Sequence, residues 1–288
     1  MELVQSTSVN TKFSNFVTLA MLMKIYLLLP LFAIFSLTLF AQEPEEKPEK
    51  EQEQSTLKED DDAGVQYKKV LTFGIMAHSN GFGANFRRGK HITGYKKRIY
   101  EIEFVNMKHP KEYKVYNPSR ENAKGYIFGK LNSVFILRPS IGSQRVITRK
   151  ADEGGVELRI NYFIGVSLAF LKPVYLEITY KRPDGTEEIK TEKYNPEEHS
   201  TYNIYGKAHP LKGIEQTKIL PGGVAKFGLS FEYGKSPKKV RSLETGLTLD
   251  VYYKNVPIMA NFESSDYPDP NNMFFLSFYL SINYGKRW

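Results

Sequence analysis

The last sixteen residues of the chain, 273–288, constrain its fold more than any other segment. Every even position from 274 to 284 is apolar, whereas Ser277, Ser281 and Asn283 lie between them. The apolar positions are Phe274, Leu276, Phe278, Leu280, Ile282 and Tyr284. Successive side chains of a strand point to opposite faces, so this segment has one apolar face. It is long enough to cross a bilayer, which takes about 9–11 residues of a tilted strand.

The same alternation recurs along the chain and predicts an all-β fold. The segments lie at 71–77, 100–104, 125–138, 156–170, 174–180, 225–233, 243–253 and 274–284. In a water-soluble sandwich the apolar faces would form the core, whereas in a membrane barrel they face lipid. Long strands, an aromatic content of 14% and polar faces rich in Gly and Ser favour the membrane barrel. We therefore predict an antiparallel transmembrane β-barrel of about eight strands over 67–288.

Connection lengths give the expected orientation, with both chain ends in the periplasm and the longer connections outside. Connections 139–154, 181–220 and 255–271 are expected outside, together with a first outer loop around RRGKHITGYKK. Tight inner turns are expected at Lys172-Pro173 and before segment 243–253. Connection 109–124 does not fit, because it is long and falls at an inner position. The 181–220 connection is expected to provide a partner surface.

The N-terminal part is expected to lie outside the barrel. Residues 1–41 are interpreted as an upstream segment and a secretory signal peptide, since a short apolar run from Ile25 to Phe40 precedes Ala41-Gln42. A retained membrane anchor is the alternative. Residues 42–66 are predicted to be a disordered periplasmic linker, because ten acidic residues and three lysines occupy 42–64. The expected location is the cell outer membrane.

The polar faces of the strands predict a lumen filled by charged side chains. We assign to this charge network His78, Glu101, Glu103, Arg159, Lys226, Glu232, Glu244 and Asp250. The same faces also carry Lys130, Arg138, Glu157, Lys254 and Arg287. The bore of an eight-stranded barrel is just wide enough for side chains, so these charges are expected to pair and close it. A gated or proton-linked lumen, or a small porin, is the alternative.

The sequence offers one weak catalytic candidate, His78 followed directly by Ser79. In outer-membrane lipid A deacylases and phospholipases a His-x-Ser pair shares one strand face, whereas adjacent residues point to opposite faces. We therefore expect no enzyme, with such a hydrolase as the alternative. Without cysteine there is no thiolate site, and we expect no metal and no cofactor.

The chain resembles an uncharacterised group of outer-membrane barrels of the Bacteroidota. The resemblance rests on the segments PGGVAKFGLSFEYG and VPIMANF and on the terminus FYLSINYGKRW. It implies an assembly signal, read by the outer-membrane assembly machinery, at Phe278, Leu280, Ile282, Tyr284 and Trp288. It also allows a structural or accessory role in an outer-membrane assembly or secretion complex.

Other expected partners are outer-membrane lipid, lipopolysaccharide and further complex subunits, but no nucleic acid. The cluster Arg87, Arg88, Lys90, Lys96, Lys97 and Arg98 is a candidate contact for lipopolysaccharide phosphates, with a solvated loop as the equal alternative.

Overall fold

The computed structural model describes residues 67–119, 123–150, 155–234, 236, 238–262 and 271–288. The predicted signal peptide and linker, 1–41 and 42–66, lie outside the described residues. In chain order the strands are β1 Lys69–His78, β2 Gly81–His91, β3 Lys96–Met107, β4 Lys114–Val115, β5 Tyr126–Ile127, β6 Asn132–Thr148, β7 Glu157–Pro173, β8 Tyr175–Lys181, β9 Glu187–Lys193, β10 Ile204–Lys207, β11 Lys218–Glu232, β12 Lys239–Tyr252 and β13 Phe274–Arg287. A single 3₁₀ turn, η1, spans Ile214–Gln216 within the described ranges. Across those ranges no helix is long and apolar enough to span a membrane.

Eight of these strands form a closed antiparallel barrel, as the alternation predicted. Their order around the barrel is β1-β13-β12-β11-β7-β6-β3-β2. The first and last strands close it, with a ladder that runs from Val70 opposite Arg287 to His78 opposite Tyr279. Closure removes the free sheet edges, so each strand can pair its backbone groups on both sides.

The apolar strand faces point away from the barrel axis. Ile164 on β7 is 68% exposed and Phe278 on β13 is 67% exposed, whereas their neighbours Phe163 and Ser277 are buried. A water-soluble sandwich would show the opposite arrangement, with its Phe and Ile rows in the core. The exposed band is the lipid-facing surface of a membrane barrel, and the sandwich alternative is wrong.

One barrel strand was missed, and one segment was wrongly assigned to the barrel. The predicted outer loop around RRGKHITGYKK belongs largely to β2 and β3, which a short turn at 92–95 connects. Strand β2 was not recognised in the sequence because Gly81 and Gly83 are typical of a turn and the last part of the strand is basic. Gly83 is required by close packing, since a Cβ there would lie 2.4 Å from the carbonyl oxygen of Phe104.

Segment 174–180 is not a barrel strand. It forms β8, which pairs with β9 and β10 in a separate three-stranded sheet. Its alternating residues Leu176 and Ile178 are buried in a protein core instead of facing lipid. Alternation shows that a strand has one apolar face but does not say what covers that face. The predicted number of eight barrel strands was therefore right, although the set of strands is different.

The corrected strand set resolves the misfit in the connections. At the end where β1 begins and β13 ends (the terminal end) the connections 92–95, 149–156 and 233–238 are all short. At the opposite end (the outer end) the connections 108–131, 174–217 and 253–273 are long, and only 79–80 is a tight turn. Connection 109–124 therefore lies at the outer end, and 139–154 is mostly β6. Short turns beside the termini and long loops opposite them are the pattern of outer-membrane barrels.

The long connections fold into a small cap at the outer end. It contains the β8–β9–β10 sheet and the β4–β5 pair, so the predicted 181–220 connection is partly structured. Tyr126, Leu176, Ile178, Tyr194 and Ile204 form its buried core. Apolar residues from both the 108–131 and the 174–217 connections thus share one core, which is why the loops adopt a defined structure.

Candidate functional site: the barrel interior and its cap

The centre of the barrel is occupied by Lys226 and Arg87 and the carboxylates around them. The Lys226 amine donates to Glu101 at 2.8 Å and also to Glu103. The Arg87 guanidinium donates to Glu101 at 3.0 Å and to Glu244 at 2.8 Å. Because these side chains are almost completely buried, each charge depends on its partners in place of water.

Arg138 forms a second group beside this centre. It donates to Asp250 at 2.6 Å and to Glu103 at 3.3 Å. Asp250 also accepts a hydrogen bond from the Ser167 hydroxyl at 2.8 Å. Glu103 therefore contacts both Lys226 and Arg138, which joins the two groups into one network.

A third group lies towards the terminal end. Arg159 pairs with Glu232 and donates to Glu157 at 2.7 Å, and Arg287 also pairs with Glu232. The buried amine of Lys97 lies in the same region, where it lines a void of about 20 Å³ together with Arg87 and Arg159. A void of this size holds about one water, so it is no aqueous channel.

Interior charges of the two signs are equal in number among the described residues. The basic members are Arg87, Lys97, Arg138, Arg159, Lys226 and Arg287, and the acidic members are Glu101, Glu103, Glu157, Glu232, Glu244 and Asp250. Together they fill the bore from the terminal end to about its middle. We call this region the charged half.

The structure places all eight residues assigned to the lumen network in the barrel interior, each buried. Seven are members of the ion-paired groups, and His78 lies apart from them at the outer end of β1. Lys130 is outside the lumen, because it pairs with Glu112 in the cap, and exposed Lys254 lies over the Tyr253 ring. Arg87 and Lys97 were missed as lumen residues, although their alternation with outward Phe86 and Arg98 would have identified them once β2 and β3 were recognised.

The rest of the bore, towards the outer end, is mainly apolar, which the sequence did not predict. Met76, Val105, Ile136, Leu171 and Leu220 point inward there and are buried. We call this region the apolar half. These positions were overlooked because each is an inward residue next to an outward apolar one, so that the strand looks uniformly apolar at its outer end.

A segment of the 253–273 connection is inserted among these side chains and closes the outer mouth. Val256, Ile258 and Met259 belong to the same buried cluster. The Leu131 amide donates to the Ile258 carbonyl at 2.9 Å, and the Val256 amide donates to the Asn272 carbonyl at 3.0 Å. We call residues 256–260 the plug segment. The bore is thus filled twice, by paired charges and by an apolar segment.

His78 and Ser79 do not form a catalytic pair in the structure. The Nε2 of His78 donates to the Asn106 carbonyl at 3.1 Å, and its Nδ1 accepts from the Asn80 amide at 3.3 Å. Ser79 lies in the β1–β2 turn with its side chain exposed. Both imidazole nitrogens are therefore engaged by backbone groups instead of by a serine hydroxyl.

Four residues of the implied assembly signal face outward from β13, and the fifth, Trp288, follows its last residue. Phe278, Leu280, Ile282, Tyr284 and Trp288 are exposed on the barrel surface. The structure shows their arrangement in one row on the lipid-facing side and does not show recognition by another protein.

The cap contains a basic cleft of about 310 Å³ between the β4–β5 pair and the residues after β10. Lys114, Lys130, Lys172, Lys207 and His209 line it. Two of these cations already have close partners, because Lys130 pairs with Glu112 and Lys172 donates to the Pro210 carbonyl at 2.6 Å. Tyr126 closes the floor, and burial raises the pKa of its hydroxyl. Within the described residues no group of three or more His, Cys, Asp or Glu is placed to hold a metal ion.

No protein-family model matches the chain, and no curated protein matches it. Among solved structures it is similar to Neisserial surface protein A, with 9% identity over 77% of this chain and 97% of that one and a TM-score of 0.37. The N-terminal β-barrel domain of Pseudomonas aeruginosa OprF is similar at 7% identity, over 77% and 100% of the two chains, with a TM-score of 0.32. Ail, the attachment invasion locus protein of Yersinia pestis, is similar at 8% identity, over 77% and 100%, with a TM-score of 0.34. At such low identities the likeness concerns the fold alone.

Proposed function

We propose that the protein is a non-conducting, non-enzymatic outer-membrane barrel that serves as a structural or accessory subunit of an outer-membrane assembly or secretion complex. The observation that carries the proposal is the contrast between a bore filled at two levels and a folded cap that presents side chains outside it. The proposal includes export through the N-terminal signal and the relation to Bacteroidota barrels, both of which rest on the sequence.

The filled bore argues against the small-porin alternative. A channel needs a continuous water-filled path, and here paired charges and the plug segment occupy that path. Planar-bilayer recording of the refolded protein tests this directly. We expect no steady single-channel conductance, and a reproducible open level would contradict a closed bore.

The cap offers an aromatic surface suited to a protein partner. Tyr113, Tyr116 and Tyr202 are 72%, 58% and 75% exposed. The Asn117 side chain brings their segments together, since it donates to the Tyr202 and Ile204 carbonyls at 3.2 and 2.8 Å. Tyrosines are enriched among the residues that dominate binding energy at protein interfaces. We infer that another outer-membrane protein contacts this surface.

Crosslinking followed by affinity purification from outer membranes tests the partner. The triple substitution Tyr113→Ser, Tyr116→Ser and Tyr202→Ser should remove co-purifying proteins while the barrel still inserts. The matched control is Lys181→Gln, Lys190→Gln and Lys193→Gln, which changes charges on β8 and β9 and should leave the partners unchanged. Equal recovery of partners with both variants would contradict a role for the tyrosine surface.

A further inference from the structure

A belt of basic residues surrounds most of the barrel at its terminal end. On the outward faces of the strands Lys69, Arg88, Lys90, Arg98, Lys239 and Lys286 are all exposed. They lie on β1, β2, β3, β12 and β13, which are neighbours around the barrel. Arg145 on the adjacent β6 extends the belt to a sixth strand.

The belt has no acidic counterpart in the described part of the barrel wall. Every described Asp or Glu on the eight barrel strands belongs to the charged half inside the bore. At the outer end the outward cations of these strands are Lys172 and Lys218. The positive charge on the outside of the barrel is therefore concentrated at the terminal end.

Strand register places several of these cations directly opposite one another. Lys90 lies between Lys69 and Arg98, and Lys239 lies opposite Lys286. Like charges in such positions destabilise a sheet, so an anion bound beside the belt would stabilise the barrel. The long stems of Lys and Arg can extend along the apolar surface while their charged groups reach the membrane interface.

The belt borders the lipid-facing band, because Leu71 lies opposite both Arg88 and Lys286. A negatively charged group held at that boundary would be the headgroup of a membrane lipid. We propose that the belt binds anionic glycerophospholipids, such as phosphatidylglycerol, in the leaflet at the terminal end of the barrel. The expected contact of the Arg87–Arg98 cluster with lipopolysaccharide phosphates stays a prediction; β2 and β3 place the cluster at the end of the barrel opposite the cap.

The single tryptophan of the chain is a built-in probe of this belt. Trp288 is 46% exposed. Its amide donates to the Lys69 carbonyl at 3.1 Å, and the Lys286 amine lies 5.8 Å from its ring centroid. In the experiment, the full chain is refolded into phosphatidylcholine vesicles that contain either brominated phosphatidylglycerol or brominated phosphatidylcholine. Quenching of Trp288 fluorescence by the brominated lipid then reports which lipid is near this residue. Each cation near an anionic lipid favours it about fivefold, so we expect at least about fivefold enrichment of phosphatidylglycerol.

In the variant Lys69→Gln, Lys90→Gln and Lys286→Gln, the quenching of Trp288 fluorescence by brominated phosphatidylglycerol should fall to the value expected from the mole fraction of that lipid in the vesicles. The corresponding three Lys→Arg changes should retain the enrichment, as should Lys181→Gln, Lys190→Gln and Lys193→Gln in the cap. If the Gln variant does not fold, salt gives the same test on the unchanged protein, because the screening length falls to about 3 Å at 1 M.

Three results would overturn the proposal. The first is equal quenching by the two brominated lipids in the unchanged protein at low salt. The second is displacement of phosphatidylglycerol from Trp288 by lipopolysaccharide at equal charge. The third is enrichment of phosphatidylglycerol near Trp288 only after deletion of residues 43–62, because the acidic segment of the unchanged chain would then occupy the belt.

Discussion

The two halves of the barrel interior fill the same space with different chemistry. The charged half contains six cations and six carboxylates, and the loss of a paired one leaves its partners buried with one counter-charge fewer. In the apolar half each side chain contributes through burial and packing, so the loss of one leaves a gap that its neighbours can partly fill. The charged half should therefore be sensitive to single changes in a way that the apolar half is not.

Removal of Lys226 should have the largest effect. Lys226→Ala leaves Glu101 and Glu103 facing each other in a buried site, and breaking such a pair costs about 3–5 kcal/mol. Urea unfolding in lipid vesicles, followed by far-UV circular dichroism, would measure the free energy of unfolding. Lys226→Met combined with Glu103→Gln removes one charge of each sign and should recover part of the loss. A single variant as stable as the unchanged protein would contradict the charge network.

Truncation in the plug segment should have a smaller effect. Ile258 is 1% exposed, and replacing it with Ala should cost about 2 kcal/mol, at the low end for a buried Ile because a connecting segment can shift into the gap. The same unfolding measurement applies, with exposed Ile189 in the cap as the matched Ile→Ala control. A loss as large as that of Lys226→Ala would remove the distinction between the two halves.

His78 separates a structural role from a catalytic one. His78→Ala removes the hydrogen bond to the Asn106 carbonyl, which should cost about 1 kcal/mol. Hydrolysis of lipid substrates, measured by release of fatty acid, should be the same before and after the change. A loss of hydrolysis in this variant, with insertion unchanged, would support the hydrolase alternative.

The two halves should close the bore independently. With Val256→Ser, Ile258→Ser and Met259→Ser the apolar half is loosened, whereas the charged half still fills the bore. Bilayer recordings should therefore still show no steady conductance. A channel that opens in this variant would mean that the plug segment alone closes the barrel.

Much of the interior could be predicted from the sequence, because inward and outward residues alternate strictly along a strand. That rule placed Glu101, Glu103, Lys226 and Glu244 on the polar faces, and the structure shows Lys226 paired with all three carboxylates. It failed for Arg87 because β2 was mistaken for a loop. It also failed for Lys130, which lies beyond the end of any barrel strand, since a residue's face has no meaning outside the strand that defines it.

The sequence by itself determined that this chain forms strands with one apolar face, in sufficient number and length for a membrane barrel. Only the tertiary structure decided which strands close the barrel, because the apolar residues of β2 face outward whereas those of β8 are buried in the cap, and alternation alone does not say what covers an apolar face. It also decided that the outer half of the bore is closed by the plug segment. That closure depends on contacts between residues as distant along the chain as Leu131 and Ile258, and alternation within a single segment contains no information about such contacts.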